Sequence, residues 1–216
     1  MSSGSRLTLP NIITLARIAV CPVLFWLAVA TDTRARFAAF VLFVVAGLSD
    51  VWDGYLARRH GWITDIGKLL DPLADKLLLV ATFVPFYLVS HRPEPLAEVP
   101  FWGPLPLWVL VVIFGRELFI TLFRQWAQRR GVVIPAGRSG KNKALFQSLF
   151  VGALLLWYPL LSTARDRGWT DHPAWEPLSW LHGGFIAGTL AVALVLTVYS
   201  MMDYLWSYRA LVGVRD

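Results

Sequence analysis

The stretch SDVWDGYLARRHGWITDIGKLLDPLADK, Ser49 to Lys76, decides how this chain is read. It sets Asp50, Asp53, Asp65, Asp71 and Asp75 into or beside long apolar segments. A charged side chain at the centre of a bilayer costs on the order of 3 kcal/mol on insertion scales, so acids kept there point to a cavity, a partner or a bound ion. Asp65 is accounted for by solvation at the membrane edge. The other four follow helical spacing.

On a helix advancing about 100° per residue, Asp50 and Asp53 stand about 60° apart and share one face. On the next helix Gly67, Asp71 and Asp75 follow at i, i+4 and i+8, which stacks two acids along one stripe behind a small residue. The loop between them, about His60 to Ile66, is short. The two helices are therefore expected to be antiparallel neighbours with their acidic faces meeting. Four converging carboxylates repel one another unless cations neutralise them. With no Cys nearby and only His60 in the loop, an all-oxygen donor set favours Mg²⁺, Mn²⁺ or Ca²⁺ over Zn²⁺. Four carboxylates can hold two such ions about 3.5–4 Å apart, the clamp used on a phosphoryl group during in-line displacement. Gly54 and Ala57 on the first helix either open a groove for a base or ribose or simply let membrane helices approach. Arg58 at its mouth offers a fork of donors to phosphate.

Outward from this stretch the chain reads as membrane protein. Of 216 residues, 56% are hydrophobic and 16% charged, too apolar for a soluble domain of this size. Apolar segments run from Ile12 to Ala30, Phe37 to Trp52, Leu69 to Ser90, Phe101 to Phe123, Ala144 to Ser162 and Phe185 to Leu205. Each lies near the ~20 residues that span a hydrocarbon core, so six transmembrane helices are expected in one all-α domain covering residues 1–216. The second helix is expected to run on through DGYLARR, and Thr163 to His182 to form an external loop. The first segment contains Arg17 and leads into TDTRAR without a small-residue cleavage site, so it reads as a retained helix. Its Cys21 is the single cysteine, which excludes a disulfide framework.

With Met1 placed in the cytoplasm, 15 of the 20 basic residues fall on that side and 5 on the other. That bias is expected to put both termini and the aspartates at the cytoplasmic face; the membrane is expected to be a bacterial inner membrane. The net charge of +6 suits anionic lipid headgroups or phosphorylated substrates, and nucleic acid is not needed to explain it.

The pattern Asp50-x2-Asp53-Gly54-x2-Ala57-Arg58-x8-Gly67-x3-Asp71-x3-Asp75 resembles the signature of the CDP-alcohol phosphatidyltransferase family at every fixed position. The resemblance implies six transmembrane helices in the CDP-alcohol phosphotransferase fold, a homodimer and a site for two divalent ions, Mg²⁺ or Mn²⁺. It implies transfer of a phosphatidyl group from CDP-diacylglycerol to an alcohol with release of CMP. It makes Asp50, Asp53, Asp71 and Asp75 metal ligands, with Asp75 also the general base. Gly54, Ala57 and Arg58 line the cytidine diphosphate site, and Gly67 allows close packing beside it.

LTLPNIITLARI, GRELFITLFRQ and SGKNKALFQ resemble the branch of the family whose acceptor is sn-glycerol 3-phosphate. A dianionic acceptor needs cations, and Arg116, Arg124, Arg138, Lys141 and Lys143 supply a dense cytoplasmic set. Arg116 and Glu117 stand inside an apolar run, as ligand contacts or as an internal ion pair. Arg17 either reaches the diphosphate or snorkels to the interface. Two other readings stay open: a phosphatidyltransferase with another acceptor, such as a cardiolipin synthase, and a carboxylate-lined cation transporter, which has no need of Arg58 or the groove.

Overall fold

The computed structural model describes residues 8–61, 64–93, 98–132 and 138–209, with the side chains of Arg58, Asp65, Lys68, Arg138 and Ser139 outside that description. Its described residues form α1 (Leu9–Val29), α2 (Thr33–His60), α3 (Asp65–Ser90), α4 (Leu107–Arg129), α5 (Arg138–Asp166) and α6 (Trp175–Ser207), with a 3-10 turn at Trp169–Asp171. Five of the six helices are long and apolar enough to cross a bilayer, which makes this an integral membrane protein. The exception is α4, because every 18-residue stretch of it contains Arg116, Glu117 and Arg124.

Local chemistry sets the helix ends. Asp32 caps α2 by accepting from the Ala35 N–H at 2.9 Å, which satisfies one of the orphan donors of the first turn. As expected, α2 runs on through DGYLARR. It stops where Gly61 takes a left-handed φ of 66° and its N–H bonds back to the Ala57 carbonyl. Thr64 caps α3 by accepting from the Gly67 N–H at 3.0 Å.

Two expected boundaries are corrected. The fourth helix begins at Leu107 and not at Phe101, because Phe101 has a φ of 63° and Val99 and Gly103 exchange backbone hydrogen bonds at 2.9 Å. Pro104 and Pro106 would also remove two N–H groups from any ladder extended back through them. Thr163 to His182 is not one loop: α5 continues to Asp166, and α6 already starts at Trp175. There Glu176 suits a helix N-terminus, and Pro177 falls in the first turn, where no N–H is needed.

Extensive packing joins α3 to α1, α1 to α2, α2 to α5, α5 to α6 and α6 to α4, and α4 touches α3 to close the circuit. The core fills its middle with Leu24, Phe83, Phe86, Phe150, Leu154 and Leu190, all essentially buried. The Phe150 ring lies tilted 5.5 Å from that of Phe83 and edge-on 5.8 Å from that of Phe86, tying α5 to α3. Apolar side chains such as Trp26, Leu69 and Leu181 point outward, as lipid-facing positions do. The odd-numbered helices begin and the even-numbered ones end at one face of the bundle. The polar residues of interest gather there.

Candidate active site

The first helix carries Asn11, Thr14 and Arg17 at intervals of three residues, and all three are buried. An arginine so enclosed needs an anionic partner, since an unpaired buried charge is expensive. Arg17 has two. Its Nη1 donates to Asp50 Oδ1 and its Nη2 to Asp53 Oδ2, the latter at 2.5 Å. The three-residue interval between the aspartates on α2 brings both carboxylates within the span of one guanidinium. The Thr14 hydroxyl lies 3.0 Å from Asp71 Oδ1, 3.5 Å from Asp53 Oδ2 and 3.0 Å from the Pro10 carbonyl.

Asn11 completes the row. Its Nδ2 donates to Thr64 Oγ1 at 2.9 Å, so the cap of α3 is also docked on α1. A Cβ on Gly67 would stand 2.8 Å from Asn11 Oδ1 and 3.2 Å from Thr64 Oγ1. A side chain at position 67 would therefore have to displace Asn11 or Thr64.

This corrects two expectations. Helices α2 and α3 do not pack extensively on each other: α1 packs on both and joins them through Thr14 and Arg17, and their acids converge beside it. Arg17 neither snorkels nor projects outward, because two carboxylates hold it inside.

Asp53 is buried, whereas Asp50, Asp71 and Asp75 are exposed. Asp75 lies within electrostatic reach of Asp50, Asp71, Asp53 and Arg17, so the four acids share one volume. Among the described residues no three His, Cys, Asp or Glu side chains are gathered closely enough to hold an ion as they stand. The donor chemistry nevertheless fits a hard divalent cation: four carboxylates, no thiol or imidazole, and an excess of negative charge after Arg17 is counted. Gly54 and Ala57 are half-buried on the next turns of α2. The side chain of Arg58 lies outside the described residues.

A second polar cluster occupies α4, α5 and α6 at the same face. Arg116 donates from Nη1 to Glu117 Oε1 at 3.1 Å and from Nε to Ser200 Oγ at 3.2 Å. Lys143 is buried and donates to the same Glu117 oxygen. Beside it Gln147 Nε2 donates to Thr197 Oγ1 at 3.4 Å. Arg124 donates from Nε to the Tyr204 hydroxyl at 3.1 Å, with its guanidinium 5.7 Å from the ring centroid. Lys141 is exposed, and the side chain of Arg138 lies outside the described residues. Asp75 acts electrostatically on Lys143, which links this cluster to the acidic one.

Arg116 and Glu117 thus form an internal ion pair, and Lys143 joins it from α5. Asn11 and Thr14 are the site residues that the sequence reading does not single out. The signal was available for α1: polar residues at 11, 14 and 17 repeat along one face of an otherwise apolar helix.

The family model for CDP-alcohol phosphatidyltransferase matches residues 7–199. A protein of Mycobacterium tuberculosis (strain ATCC 25618 / H37Rv) named probable phosphatidylglycerophosphate synthase is 33% identical over 214 residues, covering 96% of this chain and 85% of its own. The CDP-diacylglycerol--glycerol-3-phosphate 3-phosphatidyltransferase of Bacillus subtilis (strain 168) is 36% identical over 160 residues, 68% of this chain and 76% of its own. A chloroplastic/mitochondrial enzyme of that name from Arabidopsis thaliana is 32% identical over 211 residues, 92% of this chain and 62% of its own.

Proposed function

From the premise that this chain belongs to the CDP-alcohol phosphatidyltransferase family, we propose that it transfers the phosphatidyl group of CDP-diacylglycerol to sn-glycerol 3-phosphate, giving phosphatidylglycerophosphate and CMP. The observation that carries the choice of acceptor is the pair of oppositely charged clusters at one face: carboxylates on α2 and α3, cations on α4 and α5. The first suits a cation-bridged diphosphate, and the second a phosphorylated alcohol.

Asp50, Asp53, Asp71 and Asp75 would hold two divalent ions, Mg²⁺ or Mn²⁺. When bound, such ions supply charge neutralisation along the diphosphate and at the phosphorus under attack. Gly54, Ala57 and Arg58 receive the cytidine diphosphate moiety, with Gly67 keeping α3 close to α1. Arg116, Arg124 and Lys143 face the acceptor phosphate, with Arg138 and Lys141 at the start of α5 on the approach. In the reaction the acceptor hydroxyl oxygen bonds to the phosphorus that bears diacylglycerol, the bond from that phosphorus to the CMP oxygen breaks, and CMP leaves with the electron pair. Asp75 takes the hydroxyl proton, because it is exposed and no described residue hydrogen-bonds its carboxylate.

The site faces the cytoplasm of a bacterial cell across its inner membrane, a placement supported by the 15 to 5 division of basic residues. The working unit is a homodimer. Purified protein given CDP-diacylglycerol and a panel of glycerol 3-phosphate, inositol phosphate, serine and phosphatidylglycerol should release CMP only with glycerol 3-phosphate. Preference for phosphatidylglycerol would instead make it a cardiolipin synthase.

A further inference from the structure

An arginine that serves only as an internal counter-ion commonly turns both arms of its fork onto one carboxylate, using both of its oxygens. Arg17 does not. It splits the fork, giving Nη1 to Asp50 Oδ1 and Nη2 to Asp53 Oδ2, and its buried Nε is left without a hydrogen bond. Thr14, one turn earlier on the same helix, does the same for α3 by meeting Asp71 at Oδ1 alone. Three carboxylates on two helices thus each have one oxygen tied to α1. Among the described residues no hydrogen bond reaches the other oxygen of Asp50 or Asp71.

We propose that Arg17, seconded by Thr14, is the positioning residue of the metal site: it fixes one oxygen of each of these carboxylates so that the second is turned toward the bound cations. The inference rests on the reading of the aspartates as metal ligands. Ligands whose far side is held by a fixed partner need not be ordered when the ion arrives, and loss of such partners typically weakens metal binding about 10- to 100-fold. The proposal runs against simple electrostatics, which gives it a sign to test. If Arg17 were only a competing positive charge, its removal would strengthen cation binding by relieving repulsion.

The experiment is Mn²⁺ binding to purified, substrate-free protein in detergent, followed by the electron paramagnetic resonance of unbound Mn²⁺. Melting in chelator identifies the folded variants. Arg17→Gln should weaken binding about 10- to 100-fold. Arg17→Lys keeps the charge but can engage only one of the two aspartates, so it should fall between wild type and Arg17→Gln. Thr14→Val, which keeps Arg17 and loses the hydroxyl that meets Asp71 and Asp53, is the decisive variant if neither arginine substitution folds, and it should also bind Mn²⁺ more weakly than wild type. Unchanged or tighter binding in any folded variant of this set overturns the proposal while leaving the metal reading intact. Wild-type protein that binds no Mn²⁺ overturns both.

Discussion

Helices α1 to α3 set one buried cation, Arg17, among four carboxylates, whereas α4 to α6 set one carboxylate, Glu117, between the cations Arg116 and Lys143. The two clusters are built the same way with the signs exchanged. In each, a single counter-charge holds like charges together that would otherwise push their helices apart, and in each it is too little to neutralise them. The surplus is what distinguishes them. The acidic cluster has charge left to attract cations and the basic cluster charge left to attract an anion, and Asp75 acts electrostatically on Lys143 across the two. The basic cluster is also the more fully partnered, with Ser200 and Tyr204 of α6 receiving Arg116 and Arg124. Its cations are held by protein groups on all three helices.

The largest expected effect comes from emptying the acidic cluster. Asp→Asn at Asp50, Asp53 or Asp71 should abolish turnover while the protein still elutes as a folded species in detergent, because no soft donor stands by to replace a lost carboxylate. An active Asp50→Asn or Asp71→Asn protein would break the division between the clusters.

Asp75 separates ligand from base. Asp75→Asn should bind Mn²⁺ nearly as well as wild type and turn over at least about 100-fold more slowly at saturating metal. Recovery of the rate on adding metal would make Asp75 a ligand alone.

Smaller effects should appear on the basic side, and only for one substrate. Arg124→Ala should raise KM for glycerol 3-phosphate by the equivalent of about 1.5–3 kcal/mol, the range for hydrogen bonds to charged groups, with little change in KM for CDP-diacylglycerol. Lys141→Ala should shift the same constant by less than about 1 kcal/mol, because an exposed charge is screened by solvent. Equal changes for both substrates would mean that these residues anchor the bundle and do not select the acceptor.

The two clusters also differ in how far the sequence discloses them. Asp50, Asp53, Asp71 and Asp75 are legible because helical spacing puts each pair on one face and because acids in apolar segments demand a reason. What holds them is not, since the short loop between α2 and α3 argues for direct contact and nothing local announces that α1 lies between. The buried stations of Asn11, Thr14 and Arg17 follow from that insertion. On the basic side a count of Lys and Arg residues treats Lys141 and Lys143 alike. Two residues apart on a helix they differ by about 200°, so only one can face inward, and it is Lys143 that is buried. Choosing between them requires knowing which side of α5 meets α4. The charges on α4 carry a further consequence: Arg116, Glu117 and Arg124 keep it from matching the hydropathy of its five neighbours, and the cost of holding them there is met by partners on α5 and α6.

The account stands most directly on one measurement: incorporation of radiolabelled glycerol 3-phosphate into lipid by purified protein and CDP-diacylglycerol, with CMP release followed in parallel as chelator is added and divalent ion is then returned. Label incorporated and CMP released should match mole for mole, fall to background in chelator, and return with Mg²⁺ or Mn²⁺ in wild type but not in Asp71→Asn. Full incorporation in excess chelator would contradict it.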